Sequence, residues 1–101
     1  MNAIQNHIGC ADHSAKNSIK PVNFYFAAPE AVNVEITGDF NHWHPLPMHW
    51  LLDGWWFIRL ELCHGQHQYR FVVDGQSRLD PHAMGSGLDE QNERVSLIVV
   101  I

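Results

Sequence analysis

From Val22 onward, apolar side chains recur at every second residue. Val22, Phe24 and Phe26 alternate with Asn23 and Tyr25, and Val32, Val34 and Ile36 with Asn33, Glu35 and Thr37. Trp56, Ile58, Leu60 and Leu62 fall on one side of the next run, and Trp55, Phe57, Arg59 and Glu61 on the other. His67, Tyr69, Phe71 and Val73 repeat the pattern, and a last apolar run covers Arg94 to Ile101. Successive side chains of a strand leave opposite faces, so this period of two marks half-buried strands. Turn chemistry separates the runs: Pro29-Glu30, Gly38, Asp53-Gly54, Gly65, Asp74-Gly75 and Asp80-Pro81. Asp-Gly supplies the positive φ of a tight hairpin. About six strands at short intervals, without a convincing helix, predict an all-β antiparallel β-sandwich.

The 101 residues allow one domain with a proper core. Residues 1–20 lack any apolar period and read as an N-terminal arm, whose weak helical signal lies around Cys10 to Lys16. The sandwich is expected over 21–101. Connections 39–54 and 82–93 are longer than hairpins need, which makes them candidate functional loops.

Six Lys plus Arg against eleven Asp plus Glu give a net charge of −5, with no basic run. That excludes an electrostatic footprint for duplex nucleic acid and disfavours anionic membrane surfaces. The longest apolar run, Leu97 to Ile101, is far below the ~20 residues of a membrane helix. The first twenty residues show no basic start and no apolar stretch, so no signal peptide is expected. Cys10 and Cys63 have no metal or redox spacing and are expected as reduced thiols, with the cytoplasm as the default compartment.

Catalytic chemistry is weakly supported. Asp39, Asp53, Asp74 and Asp80 each sit in or beside a turn, where a carboxylate bonds nearby backbone N–H groups. There is no nucleophile elbow, no visible Ser-His-Asp set and no Gly-rich phosphate loop. His42, His44 and His49 cluster in a loop without H-E-x-x-H or C-x-x-C support, so no metal and no cofactor is expected.

The aromatic residues are more informative. Four tryptophans and eight histidines stand in a chain with only 17% charged residues. Trp56 is in phase with Ile58, Leu60 and Leu62 and belongs to the core. Trp43, Trp50 and Trp55 are harder to bury. Trp43 either folds back over the sandwich edge or forms a platform for a flat ligand face. Sugars present such faces, and Asn41, His42, His44, Gln68, Arg70 and Gln76 offer fixed donors and acceptors for hydroxyls around the rim.

Four segments carry a family resemblance. The run Val34-Glu35-Ile36-Thr37-Gly38-Asp39-Phe40-Asn41-His42-Trp43 resembles the hallmark of carbohydrate-binding module family 48. That family includes glycogen-binding domains of kinase beta subunits and N-terminal early-set domains of branching and debranching enzymes. Asp53-Gly54-Trp55-Trp56 resembles its D-G-x-W, the segment Gly65 to Gly75 its G-x-(Y/H)-x-Y-(K/R)-F-x-V-D-G, and Leu79-Asp80-Pro81 its x-D-P. Together they cover residues 22–101.

The resemblance implies an immunoglobulin-like, early-set β-sandwich that binds α-1,4-glucans such as glycogen or starch. It implies that Trp43 stacks on glucose and that Arg70 hydrogen-bonds it. Two family positions differ. Ser77 stands where a second Trp is usual, and Val95-Ser96 where an Asn-Ser pair enters the last strand, with Asn92 nearby but out of register. Trp50 or Trp55 could replace the lost platform.

The expected function is therefore a stand-alone, non-catalytic glucan-binding module. Its candidate site residues are Trp43, Arg70, Asn41, His42, Gln68, Gln76, Trp55, Trp50 and Asn92. An enzyme or kinase of glycogen metabolism is the expected class of protein partner. The alternative is a protein-interaction or regulatory module of the same fold with weak or lost sugar binding, which a large exposed apolar patch away from Trp43 would favour. The last strand, if it lies at an edge, could pair with a second copy and give a homodimer.

Overall fold

The computed structural model describes residues 19–101. Nine strands run β1 Ile19–Ala27, β2 Val34–Gly38, β3 Leu46–Pro47, β4 His49–Trp50, β5 Trp55–Cys63, β6 Gly65–Val73, β7 Gln76–Arg78, β8 Gly85–Leu88 and β9 Arg94–Val100. They form two antiparallel sheets. The smaller has the order β1-β5-β4; the larger has the order β3-β2-β6-β9-β8, with β7 also pairing with β6. This is the predicted antiparallel β-sandwich.

The period of two did the placing. In β5, Trp56, Ile58, Leu60 and Leu62 point into the core, while Trp55, Arg59 and Glu61 stay exposed. The larger sheet answers with Val34, Ile36, Tyr69 and Phe71, and Phe24, Phe40 and Met48 complete the packed centre. Phe71 touches Phe26 and Tyr69 at ring separations of 4.7 and 5.8 Å. Burying an aromatic or aliphatic side chain of this size contributes about 1.5–3 kcal/mol, so this cluster is the main stabilising element. Trp56 is in the core as expected, and its Nε1–H donates to the Ala28 carbonyl at 3.0 Å, which removes the cost of an unpaired buried donor.

Turn residues act as their chemistry predicts. Asp74 and Gly75 both have positive φ, 49° and 86°, in the β6–β7 hairpin. The Asp74 carboxylate accepts the N–H groups of Val32 and Asn33, tying that hairpin to the loop before β2. Asp80 accepts the His82 N–H and the Tyr69 hydroxyl.

Several boundaries differ from the sequence pattern. β1 reaches back to Ile19 and Lys20, which pair with Cys63 and Leu62. The rest of the expected arm, including the helical signal at Cys10 to Lys16, lies outside the described residues. The 39–54 connection contains β3 and β4, and the 82–93 loop contains β8. Gly85-Ser86-Gly87 has almost no strand propensity; its pairing with β9 comes from tertiary hydrogen bonding that propensity does not report.

Two expectations are corrected. β9 is not a simple edge strand: β6 pairs with one side of Ser96–Val100 and β8 with the other side of Arg94–Leu97. Cys63 is not a reduced thiol but is disulfide-bonded. Spacing along the chain does not report which sulfurs close in space, and the cysteine argument for a reducing compartment falls with it. Cys10 lies outside the described residues.

Candidate functional site

The outward face of the larger sheet is set by register. Thr37 pairs with Arg70, Glu35 with Val72, Gln68 with Leu97 and Ser77 with Val72. One step beyond the Tyr69–Ser96 pair, β6 and β9 carry Arg70 and Val95. Arg70, Gln68, Thr37, Ser77 and Val95 therefore share one face, opposite the core side chains Tyr69 and Phe71. Ser77 stands exposed where the resembled family has its second Trp. Val95 is fully buried, so it offers no polar group in place of the missing Asn.

Trp43 reaches this face from the loop after β2. A 3-10 turn over Asp39–Asn41 follows Gly38 and ends in a left-handed His42 at φ 58°, ψ 32°. Trp43 follows with φ 61°. Two successive non-glycine residues at positive φ cost of order 1–3 kcal/mol each and persist only where surrounding contacts hold them. Those contacts are present. Trp43 N–H donates to the Gly38 carbonyl at 2.8 Å and His44 N–H to the Asn41 carbonyl at 3.1 Å. The Asn41 amide accepts from Gly38 N–H and donates to the His44 carbonyl. Gly38 is required by close approach: a Cβ there would lie 2.4 Å from the Phe40 ring and 2.8 Å from the Gln68 carbonyl oxygen.

Asp39 fastens the turn to β6. Its Oδ2 accepts the Gln68 N–H at 3.1 Å, and its Oδ1 lies 3.4 Å from His67 Nδ1. The other ring nitrogen, Nε2, is 2.9 Å from the Cys63 carbonyl oxygen. A carboxylate and a carbonyl are both acceptors, so only the doubly protonated imidazolium satisfies both. The hydrogen bond to Asp39 raises the His67 pKa above 6.5, against the opposing effect of burial.

The Arg70 guanidinium closes over the half-buried Trp43 ring, with Cζ 4.9 Å from the centroid. This is cation–π distance. Arg70 is held in turn by Asp89, Nη1 to Oδ2 3.3 Å, and by the Arg94 carbonyl at 3.4 Å. Asp89 Oδ1 also accepts the N–H groups of Gln91 and Glu93, which shape the β8–β9 turn. The Glu93 N–H bond, before any other cause, lowers the Asp89 pKa.

The expected site residues thus separate. Trp43, Arg70 and Gln68 come together on one face. His42 is exposed in the same loop, and Asn92 is exposed in the β8–β9 turn beside Asp89, at φ 65°. Both polar atoms of the Asn41 amide are already committed to the loop backbone. Gln76 alternates with Ser77 and leaves β7 on the other side, its carbonyl accepting from Arg78. Trp50 and Trp55 belong to the other sheet. Trp50 packs edge-on against Trp56 at 5.3 Å on strand β4. Trp55 borders a groove of about 880 Å³ lined by Tyr25, Leu51, Leu52, Met84 and Ile98 among others.

The sequence pattern did not single out Asp89, His67 or that groove. Asp89 lies 19 residues from Arg70, in a polar loop where an Asp signals only a turn. Among the described residues no group of three or more His, Cys, Asp or Glu side chains is placed to hold a metal ion. None of the described helices is long and apolar enough to cross a membrane.

Sheet order, register and the aromatic–cation face define the class as a β-sandwich of the carbohydrate-binding-module type. The chain belongs to the family described as the glycogen recognition site of AMP-activated protein kinase, whose model matches residues 20–101. It is 44% identical over 48 residues to 5'-AMP-activated protein kinase subunit beta-1 of Sus scrofa, covering 48% of this chain and 38% of that protein. The Homo sapiens subunit gives the same identity over 48 residues, covering 17% of its length. The chain thus matches well under half the length of these relatives. The fold is also that of part of the maltogenic amylase from S. marinus, with a TM-score of 0.69 and 22% identity over 80% of this chain and 13% of that one.

Proposed function

We propose that the chain is a non-catalytic module that binds α-1,4-glucans through the outward face of its larger sheet. Trp43 stacks on a glucose ring, and Arg70, with Gln68 and the rim residues His42 and Asn92, hydrogen-bonds the hydroxyls. The observation that carries this reading is the Trp43 loop. A large aromatic ring is kept partly exposed on a backbone of two successive positive-φ residues, pinned at both ends, with the cationic residue of the second motif against it. Strain kept at a partly exposed aromatic points to binding rather than to packing. The acids Asp39, Asp74, Asp80 and Asp89 are occupied with backbone N–H groups and Arg70, which supports binding over catalysis.

Titration with maltoheptaose, followed by Trp fluorescence and calorimetry, tests the proposal. Saturable binding that is lost in Trp43→Ala and kept in Trp50→Ala and Trp55→Ala is expected. No response of the parent chain overturns it.

A second reading rests on the groove beside Trp55, which residues of both sheets line. Leu52 is 81% exposed and Met84 68%, beside Trp55 and Tyr25. Contiguous apolar surface of this kind marks contact sites. This favours a protein partner at this groove, in the class of enzymes or kinases of glycogen metabolism. Trp43, Gln68 and Arg70 do not line this groove, so both surfaces can act in one molecule.

A further inference from the structure

We propose that Asp89 is the positioning residue of the glucan face: it fixes Arg70 across Trp43 and so decides which side of the indole is open to sugar. This rests on the glucan reading above and extends it to a residue in the β8–β9 turn. Three observations carry it. The Asp89–Arg70 pair is largely withdrawn from solvent, with side-chain exposures of 12% and 19%. Both carboxylate oxygens of Asp89 are used, Oδ1 to cap its own turn at Gln91 and Glu93 and Oδ2 to hold Arg70 Nη1. Arg70 Nε is buried without a hydrogen-bond partner, as is Oγ1 of its paired residue Thr37.

A guanidinium left to itself would turn to satisfy Nε. It stays over the ring because Asp89 and the Arg94 carbonyl hold its other end. The cation covers one face of Trp43, and a sugar ring stacks on the face left open. Asp89 touches no ligand in this arrangement. It acts through Arg70, by charge and by fixing a long flexible side chain before binding, which lowers the ordering cost that association otherwise carries. With Ser77 in place of a second aromatic, one correctly presented ring must supply most of the stacking, so pre-positioning matters more here than in a two-ring clamp.

The experiment uses the full chain carrying Trp50→Phe and Trp55→Phe, so that Trp43 is the partly exposed indole and Trp56 the buried one. Acrylamide quenching is measured without sugar in this parent, in Asp89→Asn, in Arg70→Ala and in the double variant. Asp89→Asn keeps an oxygen for the turn; Asp89→Ser is a second such variant should Asn unfold the chain. The expected result is increased quenching of Trp43 in Asp89→Asn and in Arg70→Ala, with no further increase in the double variant. Quenching unchanged by Asp89→Asn overturns the inference. An Asp89 effect that persists in full without Arg70 also overturns it, because Asp89 would then act through its turn.

Maltoheptaose affinity is read next, on the chain with all four tryptophans. Asp89→Asn should weaken it about fivefold to tenfold when Arg70 is present and less than about twofold when it is absent, the coupling expected of contacting residues. Equal affinity in parent and Asp89→Asn overturns the positioning role for sugar. A parent that binds no glucan, with the quenching coupling intact, overturns the proposed function and leaves the Asp89–Arg70–Trp43 arrangement standing.

Discussion

The surface around Trp43 and the groove around Trp55 both present an indole and are built in opposite ways. On the larger sheet, Trp43 is fixed by a strained loop, a capping amide, Arg70 and the Asp89 turn. Around Trp55, the groove runs from Tyr25, Leu51 and Leu52 to Met84 and to Tyr69 and Ile98 of the larger sheet, mostly apolar side chains with Asp80 and His82 at its border. The comparison shows that tryptophan count alone assigns nothing. An indole held by hydrogen-bonded and charged neighbours suits a hydroxylated ligand of defined orientation. An indole among aliphatic side chains suits an apolar partner surface.

Gly38→Ala tests the first face most severely. Its Cβ would strike the Phe40 ring and the Gln68 carbonyl, so a stability loss of about 1–3 kcal/mol is expected from overpacking. A fall in Tm of several degrees, with weakened maltoheptaose binding, would confirm that the Trp43 loop and the fold are tied. An unchanged Tm would mean the loop gives way freely.

Trp43→Ala should cost about tenfold or more in glucan affinity, since stacking on an aromatic ring contributes ~1–3 kcal/mol by analogy with nucleobases. Its stability should change much less. Trp55→Ala, at the separate groove, should change glucan affinity by less than about twofold. Equal losses from the two variants in calorimetry would break the division of the two surfaces.

His67 offers a pH test of the loop anchor. Its pKa is raised by folding, so its contribution is complete below the unfolded value and is lost as pH rises through the folded one. The parent should therefore lose more stability than His67→Gln between about pH 6 and about pH 8.5. Urea melts at the two pH values measure this. Parallel losses in the two chains would remove the anchor from the account.

The smallest effect is expected at Leu52. Leu52→Asp should leave stability within about 0.5 kcal/mol, as exposed substitutions do, and leave glucan binding unchanged. It should reduce binding of an apolar dye such as ANS at the groove. Undiminished dye binding would show that this face is not the sticky one.

Much of the fold was legible before any coordinates. Alternation in β5 and β6 fixed which of Trp55 and Trp56 is buried, because a strand sends neighbours to opposite faces. Asp74-Gly75 fixed its hairpin because few residues accept two successive positive φ angles. β8 was hidden, since Gly-Ser-Gly carries no pattern and is a strand only through β9. Trp43 and Arg70 are legible as candidates from motif and loop chemistry, and the structure brings the two into contact. Asn41 was identified as a ligand contact, yet the loop uses both of its polar atoms. Gln76 was placed with the ligand face, but the β6–β7 register puts Ser77 there instead.

The sequence alone determined the strand pattern, the turns, the buried Trp56 and the surplus of tryptophans the core could not absorb. Those properties are local: they follow from side-chain period and backbone preference within a few residues. Only the tertiary structure decided that Arg70 covers Trp43, that Asp89 holds Arg70, that β9 lies between β6 and β8 and that Trp55 borders a separate groove. Each of these joins residues far apart in sequence, and register and packing, rather than spacing, set which of them meet.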